Sequence, residues 1–276
     1  MPDPSLDTAK IDSPGWWLER LGRRLDARQV PMGRYNDYYS GRHKLSFATQ
    51  KFREAFGTLF ATVADNFCEV VVDKLVERLE VEGFRFRGGE ETNDAAWAVW
   101  QANNLDADFP KATRDGLIKG EFSMMVWQGA NGPRLTVEDA QDVVVATDPA
   151  DTHVRRAALK RWFDYDFGRM YATVYLPDET YKFQSAPTDI RDWIDPALDR
   201  RLIAGATWEP RIVGSEAWPL PNPLGVVPVV PFPNKPDLAG VGVSELKNVL
   251  AIQDVINKLV SDMLLGAEFG AFRQRY

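Results

Sequence analysis

The sequence predicts an α+β fold, on three observations. Apolar residues recur at helical spacing up to Gly120, and short β-rich runs parted by turn residues take over from there to about Gln184. One long helical pattern then closes the chain behind a proline-rich stretch.

Ser13-Pro14 is a helix start, a hydroxyl cap with proline at the first helical position. Trp16, Trp17, Leu21 and Leu25 follow at helical spacing, so a first helix runs to about Arg28. Pro31 to Gly41, with Tyr35, Tyr38 and Tyr39, reads as a second, short helix ended by glycine. From Asn66 the run Phe67, Val70, Val71, Lys74, Leu75, Arg78, Leu79 predicts an amphipathic helix, and Val81 to Phe86 then alternates like a strand. Asn93 to Asn104, with Trp97 and Trp100 three apart and expected to be largely buried, is helical, as is Asp106 to Lys119.

Strands are predicted over Phe122 to Gln128, Arg134 to Val137, Val143 to Thr147, Arg155 to Phe163, Arg169 to Leu176 and Thr180 to Gln184, with turns such as Asn131-Gly132-Pro133 and Asp148-Pro149 between them. No connection among them is long enough for a helical crossover, so several pair as antiparallel hairpins. Eight of the eighteen prolines lie between Trp208 and Pro236, a stretch that cannot be helix and runs extended over a surface or along an edge. Ser244-Glu245-Leu246 then supplies a hydroxyl cap and an acid in the first turn, and the helical pattern from there to the end could span about 50 Å. The chain thus divides into an N-terminal helical arm (1–60), an α+β domain (61–240) with a proline-rich edge (208–236), and a final helix (241–276).

That last helix is predicted to be an assembly surface. Leu246, Val249, Ile252, Ile256, Leu259 and Met263 belong to an apolar stripe wider than one neighbour within a small domain needs, against a narrower polar face of Lys247, Asn248, Asp254, Lys258 and Asp262.

The 276 residues are 45% hydrophobic and include nine Trp, fifteen Phe and eight Tyr, enough for a sizeable core and too aromatic for a disordered chain. The lone cysteine, Cys68, excludes an internal disulfide framework and sits in an apolar run as a small core residue. Without a membrane-length apolar stretch or a signal-peptide start, the sequence reads as a soluble intracellular product. The net charge of −7 argues against a broad nucleic-acid-gripping face. It is uneven, +3 over residues 1–60 and −10 over the remainder, so the first segment is the one suited to an acidic neighbour.

Chemical motifs are few. Asp166-Phe167-Gly168 matches the magnesium-binding triplet of kinases but lacks the rest of the kinase set, and reads as a hairpin turn. Gly242-Val243-Ser244-Glu245-Leu246 starts like a nucleophile elbow but has Leu246 at the second glycine position, so Ser244 reads as a cap. His43 and His153 are too few and too isolated for zinc, and no phosphate loop is present, so neither cofactor nor catalytic residue is assigned. Asp106/Asp108 and Asp164/Asp166 are paired acids that would hold magnesium in an alternative reading, a nucleic-acid-processing enzyme; their positions at turns and helix starts suit local hydrogen bonding better. Arg34, Arg42 and Lys44 alternate with tyrosines and are candidates for contact with DNA or a partner, the competing reading being aromatic packing with a basic rim.

Tyr38-Tyr39-Ser40-Gly41-Arg42-His43-Lys44-Leu45, Asn66 to Asp73 leading into Arg78 to Phe84, the tryptophan helix Ala96 to Asp106, Gly120 to Trp127, Val227 to Phe232, Gly242 to Leu246 and Ile252 to Leu259 follow one another in the chain. Taken in that order, they resemble the portal proteins of siphophages, particularly those of phages infecting actinobacteria. The resemblance implies a structural virion protein and not an enzyme: one subunit of a dodecameric homo-oligomeric ring at the capsid portal vertex, made in the host bacterial cytoplasm. Its implied partners are the major capsid protein, terminase, a head-tail adaptor and double-stranded DNA passing through the channel, with no membrane. The chain would supply a wing-type domain and a first stem-type helix; since portal chains are longer, it reads as the N-terminal portion of one. A different head-tail connector component is the further alternative.

Overall fold

Five α-helices and two antiparallel sheets form the regular structure of this computed structural model, which describes residues 4–43, 66–85, 93–130, 132–187 and 207–272. Helix α1 (Pro14–Tyr39) starts where Ser13 Oγ accepts the Trp16 N–H at 3.2 Å. It is one helix, not the two expected, because it continues through Pro31. An interior proline costs about 3 kcal/mol, but both flanks are anchored. Leu21 and Leu25 are fully buried on one side, and Met32 and Tyr38 are buried on the other. Just before the proline, Gln29 Nε2 donates to the Gln141 carbonyl at 2.6 Å. Tertiary contacts thus outweigh the local break.

Helix α2 (Phe67–Val76) turns Cys68, Val72 and Val76 inward. The strand expected over Val81 to Phe86 is not seen in its described part, Val81 to Arg85: the segment makes a single bridge at Arg85, and the Phe84 carbonyl accepts the Asn93 N–H at 2.7 Å. No strand among the described residues lies beside it. Val81 and Phe84 instead pack against the cluster around Trp100. Asn93 Oδ1 caps α3 (Asp94–Ala102) through the Ala96 N–H at 3.1 Å, and α4 (Leu105–Lys119) ends at Gly120. Trp100 is buried, whereas Trp97 is only partly so.

The predicted strands form within one or two residues of their expected ends: β1 (Glu121–Gly129), β2 (Gly132–Glu138), β3 (Val143–Thr147), β4 (Arg155–Asp164), β5 (Arg169–Tyr175) and β6 (Glu179–Ser185). The proline-rich stretch adds β7 (Trp208–Pro210), β8 (Leu220–Pro221) and β9 (Val229–Pro233). One sheet runs β2-β1-β9, the other β3-β4-β5-β6-β7 with β8 also on β6, and every pairing is antiparallel. Among the described residues β9 pairs with β1 alone, and such an edge strand tolerates the missing N–H of a proline on its outer side.

Besides the cluster around Trp100, three apolar clusters bind these parts. Trp17, Leu18, Leu21 and Leu25 of α1 cover Val144, Leu159, Val174 and Phe183 of the larger sheet. On that sheet's other side, Val143, Ala158 and Tyr175 meet Met125 and Val229 of the smaller one and Val227 just before β9. Tyr38, Cys68, Val72, Leu117 and Ile118 form the third cluster, completed by Leu246 and Leu250 from the last segment.

Candidate functional site

The last helix, α5 (Leu250–Phe272), begins six residues later than expected. Its 23 residues span about 35 Å, not 50 Å. Ser244 to Val249 are consumed in turns that anchor the chain to the end of α4. Gly120 and Gly242 pass so closely that a Cβ on Gly242 would lie 1.9 Å from the Gly120 carbonyl oxygen, and Gly120 itself has φ +98°, a conformation that favours glycine. Asn234 N–H donates to the Gly120 carbonyl at 2.8 Å, Val243 N–H to the Asn234 carbonyl at 2.8 Å, and Glu245 N–H to the Leu117 carbonyl at 2.9 Å. Ser244 Oγ donates to the Ile118 carbonyl and accepts the Leu246 N–H at 3.0 Å, so this serine does cap, but a turn and not the helix itself. Glu245 receives Asn234 Nδ2 at 2.9 Å and Lys235 Nζ at 2.7 Å. Burial opposes ionisation, but these two donors prevail and hold its pKa below the ordinary carboxylate value.

Beyond this anchor, α5 has the reverse of the usual polarity. Gln253, Asn257 and Ser261, four residues apart on one face, are at most 4% exposed, while Ile252, Val255, Leu259 and Met263 are 57–72% exposed. The inward stripe is hydrogen-bonded. Gln253 Oε1 accepts the Phe67 N–H at the start of α2 (2.9 Å), and its Nε2 donates to Asn257 Oδ1 (3.1 Å). Ser261 Oγ donates to the Asn257 carbonyl at 2.8 Å. Asn257 Nδ2 lies 3.0 Å from Nε2 of His43, a ring stacked on Tyr38 and held below its ordinary pKa by burial. Tyr38 Oη donates to Asp254 at 2.9 Å, and burial raises the tyrosine's pKa.

Of the six stripe residues singled out from sequence, Leu246 is wholly buried in the chain's own core and Val249 packs against the same cluster, so neither belongs to an outward surface. Ile252, Leu259 and Met263 are exposed and Ile256 is half-buried. The inward Gln253–Asn257–Ser261 ladder was missed; the four-residue polar spacing was the available signal. Helix α2 also leaves Phe67, Val70, Val71 and Leu75 exposed.

The other candidate residues are engaged locally. The Arg34 guanidinium lies 5.6 Å from the Tyr38 ring centroid and Arg42 Nε is 3.9 Å from Asp37, the pattern of aromatic packing with a basic rim; Lys44 lies outside the described residues. Asp164 Oδ1 accepts the N–H groups of Asp166 and Phe167 in the turn joining β4 to β5, as the hairpin reading of that triplet requires. Asp106 accepts Trp100 Nε1 and Gln101 Nε2, and Asp108 pairs with Lys111. Among the described residues no three His, Cys, Asp or Glu side chains are grouped to hold a metal, and no helix is long and apolar enough to cross a membrane. Cys68 is buried, which pushes its thiol pKa up to about 11.

Residues 32–276 match the family described as phage portal protein, SPP1 Gp6-like. The chain is 28% identical over 217 residues to the portal protein of Mycobacterium phage L5 and 27% identical over 217 residues to that of Mycobacterium phage D29. Each match covers 74% of this chain and 39% of the relative.

Proposed function

Because this chain belongs to the phage portal protein family, we propose that it forms the N-terminal part of a portal subunit, a structural and non-enzymatic member of a ring at the capsid vertex. Through that ring double-stranded DNA enters and leaves the head. On this reading α2 to β9 make the wing-type domain and α5 the stem-type helix. The ring is a dodecameric homo-oligomer meeting the major capsid protein, terminase and a head-tail adaptor, and it is assembled in the host cytoplasm.

The observation that supports it best is the polarity of α5. A helix that spends its polar stripe on its own domain and leaves Ile252, Val255, Leu259 and Met263 outward is built to be covered by something else. Ile256 and these four are the proposed contact residues, with Arg34, Arg42 and Lys44 nearest the DNA. The acidic balance of −7 also suits a conduit, since many phosphate contacts would make DNA stick instead of slide.

Class-averaged electron micrographs of the protein at its natural length test the proposal. A ring with a central hole is expected, and a monodisperse monomer at high concentration overturns it. Metal-dependent nicking of plasmid DNA that disappears when Asp164 and Asp166 become alanine would favour the enzyme reading instead.

A further inference from the structure

Two charged surfaces elsewhere on the chain complement each other. On α1, Trp16, Arg20 and Arg24 follow one another at four-residue spacing, about 6 Å apart along the helix. The Arg20 guanidinium stands 4.9 Å from the Trp16 ring centroid. The neighbouring charges are taken: Glu19 by Arg23, Asp26 by Arg161, and Arg28 by Glu121. Among the described residues no acid pairs with Arg20 or Arg24. Partial desolvation, and then the like charges of Arg20 and Arg28, push the Arg24 pKa down, so this ridge is locally positive in a chain of net charge −7.

The second surface is a cleft of about 430 Å³ at the end of α2, facing α3 and α4. Its walls include Val76, Trp100 and Phe109, and its rim includes Glu77 and Glu80. The cleft's other carboxylates already hold partners. Asp73 accepts Tyr39 Oη at 2.9 Å and Arg114 Nε at 3.1 Å, and Asp106 accepts the Trp100 indole N–H at 2.6 Å. Among the described residues Glu77 pairs with exposed Lys74 alone and Glu80 has no ion-pair partner. Aromatic walls under a carboxylate rim fit a guanidinium, which can lie over a ring face and receive charge-assisted hydrogen bonds at its edge. The same rim repels an anion.

We propose that the Trp16–Arg20–Arg24 ridge of one copy docks in the Glu77/Glu80 cleft of a second copy. The two patches differ, so the contact is heterologous, and a repeated heterologous contact generates a ring when its rotation closes. A two-fold dimer would instead need one patch that complements itself. The proposal rests on the portal reading for the ring and adds a charged contact apart from the apolar face of α5.

The test is charge reversal in two separate variants of this chain, Arg20→Glu with Arg24→Glu, and Glu77→Arg with Glu80→Arg. All four positions are exposed, and circular dichroism verifies the fold of each variant. Sedimentation at low and high salt reads self-association, which each variant should weaken by about tenfold at low salt. An equimolar mixture of the two should recover wild-type association, because a reversed ridge then meets a reversed cleft. Unchanged association in either variant, or no recovery in the mixture, overturns the contact. If the first variant loses retention of duplex DNA while associating normally, the ridge is a nucleic-acid surface and the proposal falls. Rings of natural-length protein that survive both reversals leave the portal reading standing and remove only this contact, whereas a wild-type protein that never associates removes both.

Discussion

Replacing Gly242 by alanine should detach α5 from the rest of the fold. The added Cβ would sit 1.9 Å from the Gly120 oxygen and 2.9 Å from its carbonyl carbon, so one backbone must retreat by about 1.5 Å to reach ordinary contact. Neither can do so cheaply. The Gly120 carbonyl is held by the Asn234 N–H, the Asn234 carbonyl by the Val243 N–H, and the Leu117 carbonyl by the Glu245 N–H. Losing three such bonds at about 0.5 to 1.5 kcal/mol each gives about 1.5 to 4.5 kcal/mol, and displacing Leu246 from its cluster adds to it. Urea unfolding followed by tryptophan fluorescence measures the loss. Gly266→Ala is the control, since its Cβ meets nothing within 4 Å; it should stabilise α5 by about 0.5 to 1 kcal/mol through helix propensity. A loss below about 0.5 kcal/mol in Gly242→Ala would show that the two backbones are not rigidly opposed and would refute the reasoning.

Replacing Leu259 and Met263 together by aspartate should lower self-association in light scattering while leaving the circular dichroism unchanged, because both side chains point outward; loss of the whole fold would show that the helix is ordinary core. Cys68 should resist a thiol reagent at pH 8 in the native protein and react once unfolded, since burial holds its pKa near 11. Glu245 has a depressed folded pKa, so its stabilisation is present above the ordinary carboxylate value and is lost as pH falls through the depressed one. Glu245→Gln should flatten the stability profile across that acidic window and, at pH 7, remove a contribution that wild type retains. Replacing Lys119, whose buried ammonium lies 2.6 Å from both Asp115 and Asp139, by alanine should destabilise by several kcal/mol in the same urea assay, because two carboxylates lose their counter-charge.

Much of this fold is local and therefore legible. The six strands of the β-rich half lie where alternation and turn residues place them, since β4–β5 and β5–β6 are hairpins whose partners are sequence neighbours. Ser13 and Asn93 act as caps because the groups they satisfy are three residues away. What failed was non-local. Pro31 is a breaker by every local rule and is overridden by Leu21, Leu25 and Tyr38 packing on distant partners. Val81 to Arg85 alternates like a strand, but among the described residues it makes a single bridge at Arg85 and joins no sheet.

The candidate site divides the same way. By itself, the sequence determined that a long helix with a broad apolar stripe follows a proline-rich edge, because helical period and proline chemistry are properties of adjacent residues. Only the tertiary structure decided where that helix starts and which way it faces. The close approach of Gly120 and Gly242 holds Ser244 to Val249 in turns, and the Phe67 N–H and His43 offer polar partners to Gln253 and Asn257. Periodicity gives a helix two faces; which one is buried depends on what lies opposite, and here that was supplied by residues about 190 to 210 positions away.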